Sequence, residues 1–194
     1  FGLVIRDGAI ADQSQSNGFE SDNDGTGSSN TPLTAPLFSN VTFIGPRETS
    51  ATPNSLYRRA MHLRRNSRTS VYNSVFTGYP TGLHVDGSAS QGAATNNDLQ
   101  LENLVFANMG VNFEQTSGAN TWTGMTSYFT APTRANETYT STSALGLQTG
   151  YNSLTNPTLL PASGSILLTG ASFSNSRLST DPFWTPTTFR GAFG

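Results

Sequence analysis

The stretch Val71-Tyr-Asn-Ser-Val-Phe76, followed shortly by Gly82-Leu-His-Val-Asp86, decides the fold. In both runs apolar and polar residues alternate, which is the period of a half-buried strand. The pair recurs along the chain. Leu37-Phe-Ser-Asn-Val-Thr-Phe43, Leu99-Gln-Leu-Glu-Asn-Leu-Val-Phe106 and Ile166-Leu-Leu-Thr-Gly-Ala-Ser-Phe173 share the form of the first run. Gly2-Leu-Val-Ile-Arg-Asp7, Gly18-Phe-Glu-Ser-Asp22, Ala60-Met-His-Leu-Arg64 and Gly110-Val-Asn-Phe-Glu114 share that of the second. The Phe residues closing the first type stand at 43, 76, 106 and 173, with gaps of 33, 30 and 67 residues. The last gap is two units, or one unit carrying an insertion.

Two alternating strand types at a near-constant period are the signature of a solenoid. The expected fold is all-β: a right-handed parallel β-helix whose coils stack at about 4.8 Å. Val, Leu, Ile and Phe point inward in columns, with Phe76 and Phe106 in one of them. Asn and Gly take the corners, where φ > 0 is needed. A β-sandwich is the alternative. It accounts for the strands but not for the ordered recurrence of two types.

Residues 1–115 read as β-helix coils. Residues 116–165 read as a Ser/Thr/Asn-rich insertion or covering loop, with Trp122, Tyr128, Phe129, Tyr139 and Tyr151 as anchors. Residues 166–194 read as a final coil and a C-terminal strand segment. Helix signals are poor, because Pro, Gly and Ser-Asn pairs break nearly every candidate. Leu56–Leu63 is the best short exception.

Composition narrows the chemistry. The 194 residues carry a net charge of −2, with no Cys; all ten basic residues are Arg. Ser, Thr and Asn make up 68 positions, yet 35% of the chain is hydrophobic and 10% aromatic, so the chain is not of the disordered class. Lacking Cys and Lys excludes disulfides, thiolate metal sites, Cys nucleophiles and Schiff bases. The balanced charge speaks against nucleic acid as a partner. No apolar run approaches the roughly 20 residues that span a bilayer. An opening at Phe1, with no Met and no signal peptide, reads as part of a longer chain.

Asn17-Gly-Phe-Glu-Ser-Asp-Asn-Asp-Gly25, Pro36 to Pro46, Arg64-Arg-Asn66, Tyr72-Asn-Ser74, Tyr79-Pro-Thr-Gly-Leu-His-Val-Asp86 and the closing Phe189-Arg-Gly-Ala-Phe193 occur in this order. The succession resembles secreted Bacteroidota right-handed parallel β-helix proteins, many of which end in a type IX secretion sorting domain. The resemblance covers most of residues 1–115 and the last dozen. It implies a secreted or cell-surface, outer-membrane-associated location, and it implies no defined activity.

Three constellations are candidates for chemistry. Glu20, Asp22 and Asp24 surround an Asp-Asn-Asp-Gly turn and offer oxygen ligands for Ca²⁺, though without the closing Glu of an EF-hand. Arg58, Arg59, Arg64, Arg65 and Arg68 are the one dense charge run. With Met61 and Leu63 inward, His62 and Arg64 face out, and His84 and Asp86 fall one coil away. Arg64, Arg65, His84 and Asp86 are thus the candidate ligand-binding set, suited to an acidic glycan. The competing reading is a ladder of Arg–carboxylate pairs between coils. His62 and His84, the two histidines, read as surface side chains and a poor metal site. Asn40-Val-Thr and Asn136-Glu-Thr match the glycosylation pattern by chance.

The expected function is therefore non-enzymatic: a secreted or surface structural or adhesive β-helix, in an extracellular assembly or self-associating through its ends. The alternative is a carbohydrate-binding module, or a Ca²⁺-dependent lyase of acidic polysaccharide. No cofactor beyond Ca²⁺ is expected.

Overall fold

A computed structural model describes residues 1–10, 15–118 and 120–194. The strands come in coils. The first coil holds β1 (Gly2–Ile5), β2 (Phe19–Ser21) and β3 (Leu37–Ser39). The second holds β4 (Val41–Ile44), β5 (Arg59–Arg64) and β6 (Ser70–Tyr72). The third holds β7 (Val75–Thr77), β8 (Thr81–Asp86) and β9 (Leu101–Glu102). The fourth opens with β10 (Val105–Ala107) and β11 (Val111–Phe113). A short antiparallel hairpin follows, β12 (Thr116–Ser117) with β13 (Asn120–Thr121), and later β14 (Glu137–Tyr139).

Apart from that hairpin, the strands pair in parallel with their counterparts one coil away, in the sheets β1-β4-β7-β10-β14, β2-β5-β8-β11 and β3-β6-β9. Gly2 pairs with Val41, Thr42 with Val75, Val75 with Val105, and Val105 with Glu137, so successive coils span 39, 33, 30 and 32 residues. This is a parallel β-helix, as the recurrence predicts, and not a sandwich.

The interior follows from alternation. Phe43, Phe76 and Phe106 are register partners in one sheet. The rings of Phe43 and Phe76 stack at 5.3 Å, and Phe106 meets Phe76 edge-on at 5.7 Å. Met61, Leu63, Leu83 and Val85 fill the core from the second sheet, and Val71 and Leu101 from the third. Gly82 is glycine because the coil is tight: a Cβ there would stand 2.6 Å from the Asn112 carbonyl oxygen and 2.7 Å from the Phe106 ring.

Asn40, Asn73 and Asn103 turn the chain into the next coil with φ of 56°, 50° and 56°. Asn tolerates this left-handed region better than other side chains. Its amide does further work at two corners. Asn40 Nδ2 donates to the Phe189 and Gly191 carbonyls, at 2.8 and 3.2 Å. Asn73 Nδ2 donates to the Ser172 carbonyl at 3.0 Å, and its Oδ1 accepts from Ser172 N at 2.8 Å. The corners thus fasten the C-terminal segment to the wall. Asn73→Ala should lower unfolding stability by about 2 kcal/mol, combining left-handed strain with lost hydrogen bonds. Asn73→Gly should relieve the strain alone. Thermal unfolding of the two variants checks this, and equal losses would contradict it.

Several local expectations differ from the structure. Leu56–Leu63 is not a helix; Arg59–Arg64 is β5, because its pairing with β8 and burial of Met61 and Leu63 outweigh local propensity. An unforeseen eight-residue helix is α1 (Ser88–Thr95), which packs the small side chains Ser90, Ala93 and Ala94 inward. Ile166–Phe173 holds no strand. It has a 3₁₀ turn at Ile166–Leu168, capped by Ser165 Oγ accepting from Leu167 N, and no strand follows in residues 166–194. Leu167 instead joins Leu145 over Val75, Val105 and Ala107, covering the outer face of the first sheet.

Residues 116–165 contribute to the stack. A short helix, α2 (Met125–Phe129), puts Phe129 4.7 Å from the Phe106 ring and so closes the Phe column. The strand β14 adds a fifth member to the first sheet, with Thr138 at the register of Phe106. The segment is then fastened at Glu48. Its carboxylate accepts from Thr77 Oγ1 and Asn108 Nδ2, both at 2.8 Å, and from Thr142 Oγ1 and Tyr151 Oη. Burial works to raise the Glu48 pKa, but the bonds from Thr142, Tyr151, Asn108 and Thr77 together hold it below the usual carboxylate value.

Candidate functional site

The outer face of the β2-β5-β8-β11 sheet carries the polar residues singled out by the sequence. Register sets Glu20 beside His62, His62 beside His84, and Arg64 beside Asp86. One residue past the paired ends, Asp22 follows Ser21 to stand beside Arg64, and Glu114 follows Phe113 to stand beside His84. Two parallel ladders result, Glu20–His62–His84–Glu114 and Asp22–Arg64–Asp86. Side chains distant in sequence meet because the coils stack.

Four of the five arginines in the 58–68 run, Arg59, Arg64, Arg65 and Arg68, are held by carboxylates from other coils or turns. Arg64 Nη2 lies 2.5 Å from Glu20 Oε1, and its Nε 2.7 Å from Asp22 Oδ1. Arg65 Nη1 lies 2.9 Å from Asp22 Oδ2, and Arg68 Nη1 2.9 Å from Asp98 Oδ2. Arg59, 3% exposed, makes a two-pronged contact with Glu114 at 2.5 and 2.8 Å. Burial acts to lower the Arg64 pKa, but the Asp22 hydrogen bond and the Glu20 charge raise it overall. This guanidinium stays protonated.

Of the three acids offered for Ca²⁺, Glu20 and Asp22 are turned to guanidinium groups. Asp24 closes its own turn: Oδ1 accepts from Thr26 N at 2.8 Å and Ser28 N at 3.1 Å, and Oδ2 accepts from Ser28 Oγ. The Ser28 bonds foremost, then those from Thr26, hold its carboxyl well below the usual range. Among the described residues, one trio of His or acidic side chains brings ligand atoms within 4.8 Å of one another, and it is His62, His84 and Asp86.

The histidines correct an expectation. They are not surface side chains: His62 is 4% exposed and His84 1%. Their ring centroids lie 5.3 Å apart. His84 Nδ1 donates to the Glu114 carbonyl at 2.6 Å, since a carbonyl oxygen only accepts. Burial first, and then the Arg59 charge, push His62 down to about 4, so it is neutral at neutral pH. Alternation put His84 and Asp86 on one face already in the sequence. Adding His62 needed the register of β5 on β8, and its burial needed the whole fold.

Beside these ladders lies a cleft of ≈ 380 Å³, lined by Thr26, Arg64, Arg65, Asn66, Asp86 and Ser88 among others. The candidate residues Arg64, Arg65 and Asp86 therefore share one site, and His84 is not among its lining residues. Among the described residues, no helix is long and apolar enough to cross a membrane.

No curated protein and no solved structure matches the chain. The family model for the pectate-lyase-like β-helix domain matches residues 5–153, most of the chain, and the chain therefore belongs to that family.

Proposed function

We propose that this chain is a structural wall of a secreted or cell-surface β-helix protein, presenting a stiff face to an extracellular partner rather than turning over a substrate. A β-helix of this family suits a structural or a polysaccharide-binding role. The observation that carries the structural reading is the commitment of Arg64 to Glu20 and Asp22. A lyase base must give up its proton before it can take one from the sugar. A guanidinium held protonated by two carboxylates cannot do so. The extracellular address rests on the resemblance to secreted Bacteroidota β-helix proteins.

The test is incubation with several polyuronates and Ca²⁺, read by the ultraviolet absorbance of unsaturated uronide. No product is expected, and product that disappears in Arg64→Ala would overturn the structural reading. The cleft favours one second reading, glycan binding without cleavage, because the Arg65 side chain keeps 42% of its surface exposed at its rim. Retardation of the protein by polyuronate gels, lost in Arg65→Ala, would replace the wall with a binding module. Unretarded migration supports the wall.

A further inference from the structure

We propose that His62, His84 and Asp86 form a binding site for a divalent transition-metal ion of the Zn²⁺ class, linking the second and third coils. The argument begins with hydrogen-bond accounting. His84 Nδ1 carries the proton donated to the Glu114 carbonyl, so with a single proton on the ring Nε2 is a bare lone pair. That atom faces Asp86 Oδ1 at 3.6 Å. Two acceptors thus confront each other on a ring that is 1% exposed. No donor among the described residues reaches His84 Nε2 or Asp86 Oδ1. Buried acceptors left this way are destabilising by about 1–3 kcal/mol each in general, and a cation between them removes the conflict.

The spacing fits such an ion. The other Asp86 oxygen, Oδ2, lies 3.2 Å from His62 Nε2 and accepts its proton; an ion bound at Nε2 takes the place of that proton, which moves to Nδ1 of the same ring. Ligand atoms held at roughly 2.0–2.1 Å in a tetrahedral shell stand roughly 3.3 Å apart. The observed separations, 3.2 Å to one Asp86 oxygen and 3.6 Å to the other, bracket that value, and the ligand atoms of the trio all lie within 4.8 Å of one another. Two imidazoles and one carboxylate suit a transition ion; Ca²⁺ takes oxygen ligands alone. The Glu114 carbonyl on His84 Nδ1 is the outer partner that orients a metal-bound imidazole. Asp86 also lines the cleft, so a remaining coordination position can be reached from solvent.

The site differs from the Glu20, Asp22 and Asp24 cluster, and it is independent of the wall reading. A structural wall and a binding module could each hold it.

The test is calorimetric titration of chelator-treated protein with Zn²⁺, with Co²⁺ absorption as a second probe. One ion per chain is expected, with a Kd near or below about 1 μM and an intense Co²⁺ visible band of low coordination number. His84→Gln and Asp86→Asn should each weaken binding by about 100-fold or more. Glu20→Gln and Asp24→Asn should leave it unchanged, and excess Ca²⁺ should not compete. Zn²⁺ should also raise the midpoint of thermal unfolding. Should a buried variant fail to fold, the wild-type chain suffices: Zn²⁺ must shift the ring NMR signals of both histidines. Unshifted rings, no saturable binding, or equal binding by the folded His84→Gln and Asp86→Asn variants would overturn the site.

Discussion

Replacing Phe76 by Ala should lower the unfolding free energy by about 3–5 kcal/mol. Phe76 has no exposed surface and touches aromatic rings on both sides, Phe43 in the coil before and Phe106 in the coil after. Its removal leaves a void between two coils that stay pinned by backbone pairing to either side. The interior cannot collapse into that void, so the cavity term adds to the transfer term. For a chain of this size the midpoint should fall by roughly 6–20 °C. Phe76→Leu should recover most of the loss. A change below about 1 kcal/mol in chemical denaturation would show that the column is not continuous. Phe43, 8% exposed, should cost less than Phe76 when truncated.

The second large effect is expected at Glu48. Its carboxylate gathers Thr77 and Asn108 from the coils with Thr142 and Tyr151 from the segment beyond β14. Asn152 Nδ2 also donates to the Glu48 backbone carbonyl. Glu48→Ala leaves these donors without their charged acceptor and should destabilise by about 3 kcal/mol. The loss should be local, appearing first as protease cleavage between residues 139 and 153. Glu48→Gln keeps one acceptor oxygen and should fall between Ala and wild type. The pH dependence follows from the depressed carboxyl pKa. A group whose folded pKa lies below its unfolded value stabilises fully above the unfolded value, about 4.3 for Glu. That stabilisation is lost as pH falls through the folded pKa. Acid should therefore release the segment before the coils melt, and Glu48→Gln should flatten this step. Protection unchanged by Glu48→Ala would show that the segment is held by Leu145 and Leu167 alone.

The coils were legible because their signals are local. Alternation within Val71–Phe76 sets which side chains enter the core, and Asn73 supplies the corner that follows the strand before it. Beyond β11 the repeat was not legible because the interior there is filled from elsewhere. Phe129, on α2, covers Phe106, so the register position that Phe would occupy is Thr138 and the repeat disappears from the sequence. Phe173 falls on the right pattern by chance. The segment around it serves the outer layer, where Asn73 binds Ser172.

The candidate site divides in the same way. The sequence marks Arg64 and Arg65 as a charge cluster, and places His84 and Asp86 on one strand face two residues apart. It also marks Glu20, Asp22 and Asp24 as a possible cation site. It does not show that Glu20 and Asp22 neutralise Arg64, or that Asp24 is taken up by its own turn.

By itself, then, the sequence determined the parallel β-helix, the Phe column and the Asn corners, because a strand period and a coil period are properties of neighbouring residues. The tertiary structure alone decided which polar side chains pair across coils. Turns of unequal length separate the strands, and coils of 39, 33, 30 and 32 residues hide the register that stacking restores. Only that register brings His62 against His84 and Asp86, and only the surrounding chain takes their rings out of water.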